Sequence, residues 1–251
     1  IGSNSVTKSL SLANNCIAHG GEMSGVKALC EMLKVNTTLQ NINLSNNRIG
    51  IKEDNGNYVA APKRPIAIAE ALKVNKTLTS INLLKNRSGK EGANSVVDVA
   101  KDKPQLITLC GLKPDQTSAD FSKQSLGVGD GILLAFDLKK NYVLVDLNLK
   151  QNNLTYFGKD MSGIIQIAEA LKVNKTLQSI DVSGNTLGPD GAKAFAEMLK
   201  INTTLQNVDV SDNYFYAEGA KAFADMLKIN ATLQSVNIDG HPLPIKQLEG
   251  E

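Results

Sequence analysis

The sequence predicts an α/β solenoid, with short parallel strands on one side and helices on the other. Three observations lead there. The segment LQSIDVSGNTLGPDGAKAFAEMLKINTT (177–204) is followed at once by LQNVDVSDNYFYAEGAKAFADMLKINAT (205–232), in register at 28 residues. A period of that length means stacked units, each burying its apolar faces only against its neighbours. Within the first of these units Leu177, Ile180 and Val182 fall on one side, as in a half-buried strand. Ala192, Phe195, Ala196 and Leu199 then follow at i, i+3, i+4 and i+7, the apolar stripe of an amphipathic helix.

The parts of the unit follow in order. Asn185 closes the strand, and Gly188, Pro189, Asp190 and Gly191 supply turn and cap chemistry for the helix. Asn202 is placed to end that helix in the left-handed region. The template can be walked back along the chain. Strand positions recur at Leu10/Leu12, Leu39/Ile42/Leu44, Leu78/Ile81/Leu83, Leu144/Leu147/Leu149, Leu205/Val208/Val210 and Leu233/Val236/Ile238. The closing asparagine recurs as Asn15, Asn47, Asn86, Asn152 and Asn213, and stacked in register these side chains form a ladder bonded to the turn backbones. Helical stripes recur at Val26/Leu29/Cys30/Leu33, Ala93/Val96/Val97/Ala100, Leu134/Ala135/Leu138 and Ala220/Phe223/Ala224/Leu227.

The consensus LxxLxLxxNxLGxxGAxALAxxLKxNxT resembles the ribonuclease-inhibitor-like class of leucine-rich repeat, over roughly residues 7–248. That class is also used in intracellular NOD-like receptors and in Ran-type GTPase-activating proteins. The resemblance implies a leucine-rich-repeat solenoid shaped as a horseshoe, with a parallel sheet on the concave face and helices on the convex face. Geometry gives the same curve: strands sit about 4.8 Å apart and helices need about 10 Å, so the outer layer fans out.

Units starting at 7, 39, 78, 106, 116, 144, 177, 205 and 233 depart from the 28-residue period at four places, most informatively at three of them. Extra residues lie within IKEDNGNYVAAPKRP (51–65) and within TYFGKDMSG (155–163). Both insertions fall between strand and helix and project from one rim, a common place for function to sit. The segment LITLCGLKPD (106–115) has a strand but no room for a helix, and a parallel crossover normally needs a dozen or more residues. An irregularity near 106–118 is therefore expected within a single domain spanning 1–251, closed by a C-terminal cap over 233–251. EALKVNKTLTSINL (70–83) nearly repeats as EALKVNKTLQSIDV (169–182), which points to duplication of a larger block.

Composition excludes several classes. The balance of 27 basic and 25 acidic residues implies no polyanionic partner, and only Arg48, Arg64 and Arg87 are arginines, which argues against nucleic-acid recognition. No apolar run reaches membrane-spanning length and no signal-like segment is present, so no membrane partner is expected. Three cysteines without CxxC spacing suit a reducing, cytoplasmic setting and a monomer. The triplets at Asn36, Asn75, Asn86, Asn153, Asn174, Asn202 and Asn230 match the glycosylation sequon, but most are the helix-ending asparagine of the repeat.

Catalytic chemistry is not indicated. His19 and His241 stand far apart in the chain, and the sequence shows no metal-ligand cluster, catalytic triad or phosphate-binding lysine loop. GVGDG (127–131) occupies the slot of the repeat's turn. No enzyme activity, metal or cofactor is expected.

Binding is the remaining class. The concave lining is small and polar and turns acidic toward the C-terminal end through Asp181, Asp209, Asp212 and Asp239. On the strand-to-helix rim, Tyr156 and Phe157 lie in one insertion, Tyr58 in the other, and Tyr214 and Tyr216 flank Phe215. An aromatic strip of Tyr156, Phe157, Tyr214 and Tyr216 beside the acidic end is the expected protein-binding surface. The recurrent lysines Lys34, Lys73, Lys172, Lys200 and Lys228 offset the helix macrodipole. The expected function is a protein–protein interaction module or scaffold for a partner of unknown identity. The alternative implied by the resemblance is an enzyme regulator, either a Ran-type GTPase activator or a ribonuclease-inhibitor-like inhibitor.

Overall fold

The computed structural model describes residues 6–19, 23–238 and 242–244. Of the expected cap, residues 239–241 (with Asp239) and 245–251 lie outside them. In chain order the elements are β1 (Ser9–Ser11), α1 (Ser24–Val35), β2 (Asn41–Asn43), β3 (Ile51–Asp54), β4 (Asn57–Ala60), α2 (Lys63–Val74), β5 (Ser80–Asn82), α3 (Gly89–Lys101) and β6 (Ser118–Asp120). They continue with α4 (Val128–Lys140), β7 (Asp146–Asn148), α5 (Ser162–Leu171), β8 (Ser179–Asp181), α6 (Gly188–Leu199), β9 (Asn207–Asp209), α7 (Tyr216–Leu227), β10 (Ser235–Asn237) and β11 (Pro242–Pro244).

Successive units pair in parallel with no register drift. Ile42 is opposite Leu10 and Ile81, and Ile180 is opposite Leu147 and Val208. The middle residue of these strands points into the core: Ile42, Ile81, Ala119, Leu147, Ile180, Val208 and Val236 are all buried. Phe195 and Phe223 fill the space between sheet and helices, and Phe215 stacks on Phe223 with centroids 5.3 Å apart. Each such side chain contributes about 1.5–3 kcal/mol by leaving water. Strand β11 pairs antiparallel with β10 at the C-terminal edge.

The asparagine ladder runs through both blocks. Asn86 Oδ1 accepts from Asn47 N at 2.8 Å, and Asn213 Oδ1 accepts from Asn185 N at 2.8 Å and Leu187 N at 3.2 Å. Their Nδ2 groups donate to the strand-end carbonyls of their own and the preceding unit, as from Asn213 to Val210 and Val182.

Several expectations are corrected. The helix-ending asparagines do not adopt left-handed backbone: Asn36 and Asn75 are extended, with ψ of 128° and 131°. Their side chains do the work instead. Asn202 Oδ1 accepts from Thr204 N and Leu205 N, while Nδ2 donates to Leu171 O of the preceding helix at 2.6 Å. A second ladder thus runs along the opposite edge, and Asn75, Asn174 and Asn202 are buried in it. The terminal lysines pair with carboxylates one turn back, as in Lys34–Glu31, Lys73–Glu70, Lys172–Glu169, Lys200–Glu197 and Lys228–Asp225. The helix α6 opens without a side-chain cap.

The stripe expected on α7 is only half-covered. Ala192 of α6 is buried because Gly219 of α7 packs on it, whereas the equivalent Ala220 and Ala224 are exposed where no described helix follows. Helix α4 is buried from Val128 through Leu138 rather than along one stripe, because α3 and α5 enclose it closely. Gly129 approaches Gly89 so nearly that an added Cβ would lie 2.8 Å from the Gly89 carbonyl.

Strands β1, β2 and β5 form one sheet and β6 to β11 another, with only the bridges Ser80–Thr108 and Asn82–Cys110 reaching the segment between them. The ladder has no asparagine there. Two buried carboxylates from α4 take its place. Asp130 accepts from Lys85 N at 2.7 Å and Gly127 N at 2.9 Å. Asp137 accepts from Leu109 N at 2.7 Å, from Cys110 N at 3.1 Å and from the Thr108 hydroxyl.

Candidate protein-binding surface

In most units the turn after the strand passes through the left-handed region on either side of the ladder position. Asn46 and Arg48 flank Asn47, Lys85 and Arg87 flank Asn86, Gly184 and Thr186 flank Asn185, and Asp212 and Tyr214 flank Asn213, all at positive φ. The residue after the asparagine is thrown outward onto the strand-to-helix rim. The fold makes no demand on the side chain there, since Arg48, Arg87, Thr186 and Tyr214 all occupy that position.

At the C-terminal end Tyr214 (φ 55°) and Tyr216 (φ 50°) are 64% and 72% exposed, while Phe215 between them is buried. The insertion two units earlier in the rim is more constrained. Tyr156, Phe157 and Gly158 are consecutively left-handed. Buried Thr155 anchors them, its hydroxyl donating to Asn185 O at 2.9 Å and accepting from Gly158 N at 3.0 Å. Asn153 Oδ1 accepts from Phe157 N at 2.7 Å. The two rings stand 6.0 Å apart, with the Lys159 ammonium 5.8 Å over Tyr156. They are 57% and 69% exposed on a turn whose backbone is tied down. Among the described residues no ring contact joins this pair to Tyr214 and Tyr216, and the turn containing Thr186 lies between them in sequence order.

The acidic residues belong to a third column. Asn43, Asn82 and Asn148 close their strands by accepting the amide two residues on, and Asp120, Asp181 and Asp209 do the same. The fold needs only an acceptor there and uses neutral Asn in several units. The charge of Asp181 and Asp209 is therefore surplus to folding. Asp209 also accepts from the Ser211 hydroxyl and from Asn237 Nδ2 at 2.8 Å. No salt bridge neutralises Asp181, Asp209 or Asp212 among the described residues, and Asp212 is exposed. The Ser122 amide holds Asp120 below the usual carboxylate range.

Sequence reasoning missed two groupings. The longer insertion is a β3–β4 hairpin turning at Asn55 and Gly56, and it sets Tyr58 beside Arg48 and Arg87. The guanidinium carbons lie 5.5 and 5.9 Å from its ring centroid. The NG pair flanked by EDNGNYV was the available signal. Asp130 and Asp137 were also passed over, although acids inside GDGILLAFDL signal a buried polar role. Burial pushes each up to about 6 against the pull of its backbone donors.

Among the described residues no group of three His, Cys, Asp or Glu could hold a metal ion, and no helix is long and apolar enough to cross a membrane. Cys16, Cys30 and Cys110 are unpaired.

The leucine-rich repeat family model matches residues 173–196 and 202–224. No curated protein matches the chain. Among solved structures it is similar to the tropomodulin C-terminal domain of Caenorhabditis elegans, at 13% identity over 82% of this chain and 92% of that one, with a TM-score of 0.35. It is also similar to actin-binding site 2 of leiomodin-1, at 19% identity over 80% of this chain and 86% of that one, with a TM-score of 0.32. The family matches fall on the two most regular units, which therefore resemble leucine-rich repeats.

Proposed function

We propose that the chain is a protein-binding module that engages its partner through the C-terminal strand-to-helix rim and the adjoining acidic end of the sheet. The observation that carries this is the exposure of Tyr156, Phe157, Tyr214 and Tyr216 at left-handed positions. Folding gains nothing from aromatics there, whereas an interface gains rigid anchors with little side-chain entropy to lose. Asp181, Asp209, Asp212 and, in the undescribed segment, Asp239 favour a partner carrying basic residues around an apolar centre. The buried or unpaired cysteines suit a reducing compartment.

The test compares proteins retained from a native lysate by the parent chain and by the Tyr214→Ala, Tyr216→Ala variant, with circular dichroism confirming equal folding. Hot-spot rings contribute about 2 kcal/mol each, so a partner retained by the parent is expected to be lost by the variant. Equal retention by both would remove the rim from the reading.

A further inference from the structure

The opposite edge of the molecule holds a cavity of about 160 Å³ where the stacking is interrupted. Helices α3 and α4 touch near their N-terminal ends through Gly89 and Gly129. Toward the C-terminal end of α4 the helix-less segment 106–115 leaves the cavity open between residues 107–114 and 137–143. Its apolar wall is Ile107, Leu112, Tyr142 and Val143. Three of these are exposed: Ile107 by 52%, Tyr142 by 76% and Val143 by 36%. An apolar hollow of this size takes one large side chain and has the make-up of a binding pocket.

One polar group in the wall is set apart from its equivalents in the units that follow a helix-bearing unit. The helix-ending asparagines Asn75, Asn174, Asn202 and Asn230 each donate through Nδ2 to a main-chain carbonyl of the preceding helix: Leu33, Leu138, Leu171 and Leu199, at 2.8, 2.8, 2.6 and 2.6 Å. Asn141 forms the same turn, with Oδ1 accepting from Val143 N at 2.9 Å and Leu144 N at 2.7 Å. The unit before it has no helix, and its Nδ2 finds no protein acceptor among the described residues. The donor that elsewhere receives a peptide carbonyl here lines the cavity.

We propose that this cavity is a docking site for a partner polypeptide, which inserts one bulky apolar side chain and presents a main-chain carbonyl to Asn141 Nδ2. The occupant thereby supplies in trans what the helix of a regular unit supplies in cis. A neutral main-chain carbonyl is the group the equivalent asparagines receive within the chain, at Leu33, Leu138, Leu171 and Leu199. The site lies on the helix-to-strand side, away from the aromatic rim, and stands or falls independently of it.

The test is a two-dimensional ¹H–¹⁵N NMR titration of the labelled chain with N-acetyl-leucinamide, N-acetyl-phenylalaninamide and N-acetyl-serinamide. The first two are expected to give saturable shifts at residues 107–114, 137–143 and the Asn141 side-chain amide, and the serine probe much smaller ones. Asn141→Asp keeps the acceptor for Val143 and Leu144 but loses the donor, and is expected to bind the leucine probe about fivefold more weakly with an unchanged spectrum elsewhere. No saturable shift, equal binding of the serine probe, or unchanged affinity of the Asn141→Asp chain would overturn the proposal. So would tighter binding of N-acetyl-leucine as its free acid. Shifts of the same resonances with protein concentration alone would give the cavity to a second copy of the chain, and equally overturn it.

Discussion

Where the unit at 177–204 meets the unit at 205–232, the turn amides are met by a neutral carboxamide, with Asn213 Oδ1 serving Asn185 N and Leu187 N. Across residues 106–117 the same kind of donor is met by carboxylates reaching in from a helix, with Asp130 serving Lys85 N and Asp137 serving Leu109 N and Cys110 N. Both joins satisfy buried backbone, but the second does so with groups whose charge is costly to bury. A carboxamide holds its turn at any pH. A buried carboxylate ties the join to the proton concentration.

The largest effect is expected at the regular join. Asn213→Ala leaves two buried amides and the Val182 and Val210 carbonyls without their partner, costing about 4 kcal/mol in urea unfolding at pH 5 and pH 7 alike. A strongly pH-dependent loss would break the contrast between the two joins.

The irregular join is expected to show the opposite behaviour. Asp130 and Asp137 titrate at about 6 when folded against 3.8 as the unperturbed value. The folded state binds these protons more tightly. Their contribution is therefore fully present below about pH 4 and lost as pH rises through 6, by roughly 3 kcal/mol each. Asp137→Asn keeps an oxygen acceptor and loses the titration, so its unfolding free energy is expected to change less between pH 5 and pH 7 than that of the parent. Parallel pH profiles for parent and variant would show that Asp137 does not carry the dependence.

Close helix approach gives a smaller effect. A Cβ on Gly163 would lie 2.8 Å from the Leu154 and Val128 carbonyls, so Gly163→Ala is expected to cost about 2 kcal/mol. Gly56→Ala, at φ 78° but in open space, is expected to cost about 1 kcal/mol by backbone strain alone. Smallest of all, Lys200→Ala removes the exposed pair with Glu197 and is expected to change stability by less than about 0.5 kcal/mol.

The regular parts of this fold were legible because one side chain per position does one job. Ile180 and Val208 announce a strand face, and Phe195 a helix face, wherever the register repeats. The helix-ending Asn202 was legible as a terminus but not as a cross-unit donor, since its partner Leu171 O lies 31 residues back and main-chain groups leave no trace in sequence. The interruption at 106–115 was legible from spacing alone. How it is bridged was not, because Asp137 reaches Thr108 across 29 residues and sits in a stretch otherwise read as apolar. The rim aromatics were legible as a departure from the repeat, whereas the left-handed backbone beneath Tyr156 and Phe157 is a property of the insertion's fold.

The bridging of the interruption also bears on how the chain is made. A ribosome delivers the N-terminal strands first. When synthesis has reached residue 117, Lys85, Leu109 and Cys110 have already been added to the chain, but the carboxylates they donate to have not. The first block of the molecule is thus a lock whose key is translated after it. Its last amides are satisfied only once helix 128–140 clears the exit tunnel, and a chain truncated before that point would carry a finished sheet with an unfinished end.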